Sequence, residues 1–446
     1  METLMEKVEK FSLSITLKAF VIGFLTLIML IPGFMIQNLI SERQKRSEVT
    51  IAKINAKWSN AQTLCGPVLV IPYSTIVGVD DKKEPLTENH TLNMVPEVLY
   101  VKAGLIPEER HYGIYKSILY RSDIELSGKF RKMDLQFPAN AQINWKDAVI
   151  RIGISDLRGM TNDLDFVANN AHFTAEAGGT QDATGQGLVI ALKKPDLLQS
   201  GNELAFTCHL KLNGSSNMNF IPVGKTTRVQ LKGAWKSPGF IGSFSPEYKI
   251  GNAGFTANWN VLHFNRNIPE SWTDQQVKSF TDTSFGVNLV DTVDQYQQNM
   301  RSAKYALMFI VLTFVVFFFV EILTRKKIHP LQYLLVGIAL ILFYSLLLSI
   351  SEQLNFGAAY LIASIATIGL IVTYAHSIFK NYLSTGILAS FLSVLYVFLY
   401  VVLQLEDIAL LFGSIGLFII LGVIMYFSGK INFYKSEPHE EPGIAE

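Results

Sequence analysis

The apolar residues of this chain are segregated to its two ends, and that segregation limits the fold more than any motif does. Crossing the ~30 Å hydrocarbon layer of a bilayer takes about 20 apolar residues as helix. One such segment runs over Leu17–Ile40. Five more cover Tyr305–Leu323, Leu331–Ile350, Ala358–Ser377, Leu383–Leu403 and Ile408–Phe427. Residues 41–304, between the first segment and the second, read as a domain that folds in water. Charged residues make up 17% of the 446, whereas a soluble protein carries about 25%. A net charge of +1, from 38 basic and 37 acidic side chains, supplies no field to steer a polyanion. Nucleic acid is therefore not an expected partner; the lipid bilayer is.

The first segment follows Lys7 and Lys10 and includes Lys18, like a secretory signal, but it is long. Its exit, MIQNLISERQKR, has no small-residue cleavage site, so it is expected to stay as an anchor. Orientation follows from Lys and Arg in the short flanks. With the N-terminus in the cytoplasm, the inner flanks hold Lys7, Lys10, Lys18, Arg325, Lys326, Lys327, Lys380, Lys430 and Lys435. The short outer loops, Ser351–Gly357 and Leu405–Asp407, hold only Glu352, Glu406 and Asp407. Arg43, Lys45 and Arg46 lie on the outer side and oppose this, but they open a long domain, and long domains translocate largely regardless of charge. Both termini are expected in the cytoplasm and the large domain in the periplasm or outside the cell.

The expected fold class is an α+β membrane protein. Six transmembrane helices, one plus five, carry a large periplasmic, all-β, sandwich-like domain inserted between the first and the second. The expected segments are 1–40 (N-terminus and first span), 41–64 (amphipathic helical connector), 65–290 (β-rich domain, with two related lobes as one reading), 291–304 (helical connector), 305–428 (five-helix block) and 429–446 (cytoplasmic tail).

The β reading rests on a period of two. Phe206, Cys208, Leu210 and Leu212 alternate with Thr207, His209 and Lys211. Thr227, Val229 and Leu231 alternate with Arg228, Gln230 and Lys232. The same holds for Ile124, Leu126 and Phe130, and for Ala148, Ile150, Ile152 and Ile154. One apolar face per segment marks a half-buried antiparallel strand. Asn213-Gly214 and Gly178-Gly179 read as turns. Ile124–Pro138 resembles Leu210–Pro222, which is the basis for two lobes; chance similarity of two hairpins is the competing reading. Ile51, Ile54 and Trp58, and then Val293, Tyr296 and Met300, follow helical spacing beside the membrane.

Intramembrane charge, the usual mark of an ion or proton pathway, is nearly absent. Glu321 falls in the last turn of its helix beside Arg325, and His376 is also terminal; both read as interfacial. Ala359 with Ala363, and Gly386 with Ser390, have the small-residue spacing of close helix packing. H-E-x-x-H, a phosphate-binding glycine loop and G-x-S-x-G are missing, so no catalytic residue, cofactor or metal is expected. Asp163 and Asp165 read as a solvated loop, and His209 and His263 as surface or structurally satisfied residues.

Asp156 and Arg158, in ISDLRGM, read either as a salt bridge shaping the turn after a strand or as an interaction surface. Tyr112 and Tyr115 are candidates for the same surface. Cys65 and Cys208 both fall in the exported region, where disulfides form. A bridge would close a loop of about 140 residues and stabilise by about 4–5 kcal/mol. Cys208, however, shares its apolar face with Phe206 and Leu210, as a buried free thiol does.

Several long, non-periodic strings stand together: GPVLVIPY (Gly66–Tyr73), ERHYGIYKSILYRSDIELSGKF (Glu109–Phe130), ISDLRGM (Ile154–Met160), FIGSFSPEY (Phe240–Tyr248), GFTANWNVLHFNRNIP (Gly254–Pro269) and the run Val293–Glu352 with its HPLQY. From the anchor to Asn432–Tyr434 the chain resembles the CreD family of bacterial inner-membrane proteins. The resemblance implies an envelope-associated protein. It links the chain to cell-envelope integrity, tolerance to certain colicins, and a two-component regulon responding to carbon source or β-lactam stress. It brings no catalytic residue with it.

The expected function is therefore non-enzymatic. The β-domain would contact an unidentified periplasmic or envelope partner, and the helices would anchor it. The alternative is transport or lipid handling by the five-helix block, since anchoring alone needs one helix. A membrane enzyme would need a convergent polar site, and the sequence shows none. Oligomeric state is not set by the sequence.

Overall fold

In a computed structural model of the chain the described residues are 15–79, 85–131, 137–179, 185–199, 203–274, 280–289, 295–324, 326–405 and 409–428. They fall into two compact units, Met1–Arg46 with Asp294–Glu446, and Ser47–Val293.

The first unit is helical. It begins with α1 (Ile15–Ile28) and α2 (Leu30–Trp58). Pro32 has no N–H to give to the Ile28 carbonyl, and the helix is interrupted close by, at Met29. Met29 N still donates to Leu25 O at 3.0 Å and Gly33 N to Met29 O at 3.2 Å, so the helical path continues through the break. The first helical segment therefore extends to Trp58, well past Ile40, and the unit boundary falls inside α2. A short α3 (Asp196–Gln199) belongs to the other unit. The helical unit resumes with α4 (Gln295–Lys304), α5 (Ala306–Thr324), α6 (Pro330–Ser351), α7 (Phe356–Phe379), α8 (Tyr382–Gln404) and α9 (Ala409–Ser428). Among the described residues, five helical segments are long and apolar enough to cross a membrane: Leu17–Trp58, α5, α6, α7 and α8. The 20-residue apolar α9 stands where the sixth span was expected.

Lipid is as apolar as leucine, so these helices associate through packing rather than through the hydrophobic effect. Rings do much of it. Phe343 meets Tyr396 edge to face at 4.8 Å between centroids, and Phe314 meets Tyr333 at 5.6 Å. Ala359 and Ala363 are fully buried, as close packing requires. Gly386 and Ser390 instead face outward, and a Cβ on Gly386 would meet nothing. The small residue that admits a neighbour is Gly337, where a Cβ would lie 2.9 Å from Met29 Sδ and 3.0 Å from Phe314.

The second unit holds seventeen strands among its described residues. In chain order they are β1 (Gln62–Val79), β2 (Pro85–Met94), β3 (Val98–Tyr112), β4 (Tyr115–Phe130), β5 (Ala141–Ile143), β6 (Val149–Ile154), β7 (Asp165–Ala168), β8 (Ala171–Gly179), β9 (Gln186–Ala191), β10 (Leu204–Ser215), β11 (Asn217–Ile221), β12 (Thr226–Gly233), β13 (Gly239–Gly242), β14 (Glu247–Gly251), β15 (Gly254–Leu262), β16 (Ser271–Thr273) and β17 (Phe285–Asn288). One sheet runs β14–β15–β12–β3–β4–β10–β7–β8, with only the β12–β3 pair parallel. The other is centred on β1. It takes β6, β9 and β8 on one side and β11, β17 and β13 on the other, with β2 and β16 joining further along. Strand β8 belongs to both sheets: Ala171–Thr174 pairs with β7, and Ala175–Gly179 with β9. A strand that changes sheets is how packed sheets make a corner.

The alternating segments all form strands with their apolar face inward. Phe206, Cys208, Leu210 and Leu212 are buried, and Thr207, His209 and Lys211 are exposed. Both expected turns lie inside strands instead. Gly214 pairs with Tyr120 in β4, and a Cβ there would sit 2.3 Å from the Tyr120 hydroxyl. Gly178 pairs with Gly187, and a Cβ would sit 2.4 Å from Val189. These glycines serve close approach within a sheet, not chain reversal. The two similar stretches begin side by side in one sheet, where Ile124 pairs with Leu210 in the β4–β10 ladder, but the second runs on into β11 of the other sheet. Their following strands, β6 and β12, lie in different sheets.

Candidate functional site

Asp156 follows β6 directly and caps the single helical turn Leu157–Gly159. Its carboxylate accepts from Arg158 N at 3.1 Å, Nε at 2.9 Å and Nη2 at 2.7 Å, and from Asn60 N at 3.0 Å. Arg158 Nη1 donates to the Ala56 carbonyl in the last turn of α2 at 2.9 Å, where a cation also suits the helix dipole. Gln62 closes the joint, donating to Ser59 Oγ, Asp156 O and Asn213 O at 2.8–3.0 Å. A Cβ on Gly159 would lie 2.3 Å from the Asn213 carbonyl. The pair thus ties the end of α2 to the end of β6. Hydrogen bonds from the Arg158 side chain, helped by the Asn60 and Arg158 amides and opposed by burial, hold the Asp156 carboxyl at about 2. Asp156 is buried, while the Arg158 side chain stays 59% exposed.

Tyr112 and Tyr115 face each other at the tip of the β3–β4 hairpin, around Gly113 with φ +60°. Tyr112 is exposed and Tyr115 half-buried. Behind the tip, Arg110 stacks on Trp58 at 4.4 Å, and Ser117 donates to the Asn55 side chain on α2. Cys65 lies in β1 and Cys208 in β10, both buried and neither in a disulfide. Burial pushes the Cys208 thiol up to about 12. Among the described residues no three His, Cys, Asp or Glu side chains gather as metal ligands.

The polar constellation that local sequence reasoning misses is in the helical unit. Glu321, in the last turn of α5, is 5% exposed and so buried among the helices. It accepts from Lys18 Nζ of α1, from Ile328 N at 3.0 Å and from Tyr333 Oη of α6 at 2.9 Å. Arg325, the expected neighbour, lies outside the described residues. A carboxylate in an apolar helix must find a cation or neutralise. Lys18 is the lysine inside the first span, so the two were a readable match. Beside the pair is a cavity of about 550 Å³, walled by Leu17, Val21 and Ile22 and edged by Lys327 and His329. Such a site can hold a small amphiphile with its polar end among cations.

Comparison with known proteins bears on the whole chain. A family described as "Inner membrane protein CreD" matches residues 14–434. The inner membrane protein CreD of Escherichia coli (strain K12) is 32% identical over 417 residues, covering 92% of this chain and 91% of that protein.

Proposed function

The chain belongs to the CreD family of inner membrane proteins, and on that premise we propose that it is a non-enzymatic envelope protein whose sheet unit is a periplasmic interaction surface. The observation that carries this reading is the partition itself: a polar unit, Ser47–Val293, inserted between apolar helices. The lysine and arginine bias of the short flanks supports cytoplasmic termini and a periplasmic sheet unit. Exposed apolar side chains on that unit support a partner-binding role, among them Phe264, Ile106, Tyr112 and Tyr248. A role in envelope integrity, including colicin tolerance and the β-lactam response, follows from the family reading.

Two measurements test it. Protease added to sealed inverted membrane vesicles should spare residues 41–300; digestion there would overturn the topology. A photo-crosslinking side chain at Tyr112 or Arg158 in intact cells should trap a periplasmic or envelope component; capture of cytoplasmic proteins alone would reject the interaction surface.

A second reading, lipid handling or transport by the helices, is supported by one observation, the pair of buried Glu321 and half-buried Lys18 beside a cavity. Movement of labelled lipid between the leaflets of vesicles holding the full chain tests it.

A further inference from the structure

The geometry points to a binding site for the headgroup of a phospholipid of net negative charge in the cavity beside Lys18 and Glu321. This rests on the second reading only in taking the cavity as a ligand site. Three features set the chemistry. First, the cavity's carboxylate is already satisfied. Glu321 takes Lys18, the Ile328 amide and the Tyr333 hydroxyl, so its charge is neutralised on the spot and does not repel an anion.

Second, the donors that remain at the rim are unspent. Lys327 is exposed and joins no hydrogen bond or ion pair among the described residues. His329 caps α6, its Nδ1 accepting from Leu331 N at 3.2 Å. An accepting Nδ1 places the ring proton on Nε2, which leaves that nitrogen a donor. The α6 N-terminus, with Pro330 in its first turn, adds the positive end of a 22-residue helix.

Third, the remaining wall is apolar and belongs to a helix that faces lipid. Leu17, Val21 and Ile22, from the first two turns of α1, all line the cavity. Only 6% of the most apolar window of Leu17–Trp58 is buried within the protein. An acyl chain along that helix would enter the cavity headgroup first. A free phosphate would leave the apolar wall unused. A volume of about 550 Å³ is ample for a headgroup, and basic pockets between membrane helices are where anionic lipid heads bind.

The test uses the full chain in detergent, titrated with dioleoyl phosphatidylglycerol or dioleoyl phosphatidylcholine and read by native mass spectrometry. Phosphatidylglycerol should be retained in preference. Lys327→Gln should weaken that retention about fivefold, the worth of one surface lysine against an anionic lipid. Folding should be unchanged, because Lys327 holds nothing in place. Circular dichroism of the variant checks this, and His329→Gln gives a second, independent arm. Inorganic phosphate should neither compete with lipid nor shift the melting temperature. Equal retention of the two lipids, or a preference that survives both substitutions, overturns the proposal. A phosphate effect sensitive to Lys327→Gln would replace the lipid with a soluble anion. Retention of phosphatidylglycerol without lipid movement between leaflets would remove lipid handling and leave this site standing.

Discussion

The Tyr333 hydroxyl donates to Glu321 Oε2 at 2.9 Å, so the start of α6 is fastened to the end of α5 by one carboxylate. The same group accepts from Lys18 Nζ, 303 residues away. Removing one partner of a buried ion pair costs about 3–5 kcal/mol, whereas replacing both by apolar groups is often neutral. Glu321→Met is therefore expected to destabilise the helical unit by about that amount. Lys18→Met should cost less, because Lys18 is 27% exposed and the carboxylate keeps two other donors. The double variant Lys18→Met/Glu321→Met should recover most of the loss. Unfolding of the full chain in mixed detergent micelles measures all three; losses that simply add would show that the pair is uncoupled.

Asp156 gives the sheet unit an acid-sensitive joint. Its carboxyl is held at about 2, below the ordinary 3.8. A depressed folded value means that the unfolded chain takes up the proton first as pH falls. The stabilising contribution is thus complete above the ordinary value. It fades as pH drops from 3.8 toward 2 and is gone below. Asp156→Asn should flatten the stability profile across that window. It should also destabilise at neutral pH by about 1–3 kcal/mol, because the negative charge is lost and one of the two oxygens that accept from Asn60 and Arg158 becomes an amide nitrogen. Thermal melts of the full chain from pH 6 to pH 2, wild type against variant, decide it; parallel profiles would remove Asp156 as the sensitive group.

Legibility followed sequence distance and burial. β10 was readable because one face meets the core and the other meets water. β1 was not: Leu64, Cys65, Val68, Leu69, Val70 and Ile71 are all buried, so this central strand reads as a plain apolar run. Asp156–Arg158 was readable as a local pair, but not its hold on Ala56 and Asn60, which the fold brings in from about a hundred residues away. Glu321 reads locally as interfacial, since it falls in the last turn of its helix beside Arg325. Its actual partner comes from the other end of the chain, where local spacing carries no information.

Asn213-Gly214 lies within β10 rather than in a turn because Tyr120 needs the space that a side chain at Gly214 would fill. Tyr120 is fully buried, donates to Asn217 O at 2.7 Å, and lies over Gly214. Gly214→Ala would push a methyl to within 2.3 Å of its hydroxyl oxygen. A loss of about 1–3 kcal/mol is expected, as for overpacked cores. Gly104→Ala in β3 is the control, since a Cβ there meets nothing within 4 Å. Combining Gly214→Ala with Tyr120→Leu should cost less than the two single losses together, because the ring that clashes is gone. Equal melting temperatures for Gly214→Ala and Gly104→Ala would show that the ring yields freely.

The two thiols give the last prediction. Cys65 and Cys208 stand in different sheets, both buried, with the Cys208 thiol pushed up to about 12. The thiolate is the reactive form, and a thiol held above its ordinary 9.0 stays protonated at neutral pH. Neither cysteine should react with a maleimide in the folded chain, and both should react after unfolding. Reductant should change neither the melting temperature nor the gel mobility of the unfolded chain. A bridge closing about 140 residues would stabilise by about 4–5 kcal/mol, far more than such a melt could miss. Cys208→Ser would place a hydroxyl between Phe206 and Leu210 and should destabilise, whereas Cys208→Ala should be milder, since it buries no new polar group. A mobility shift on reduction of protein extracted under acid from the envelope would put a disulfide back and take the free-thiol core away.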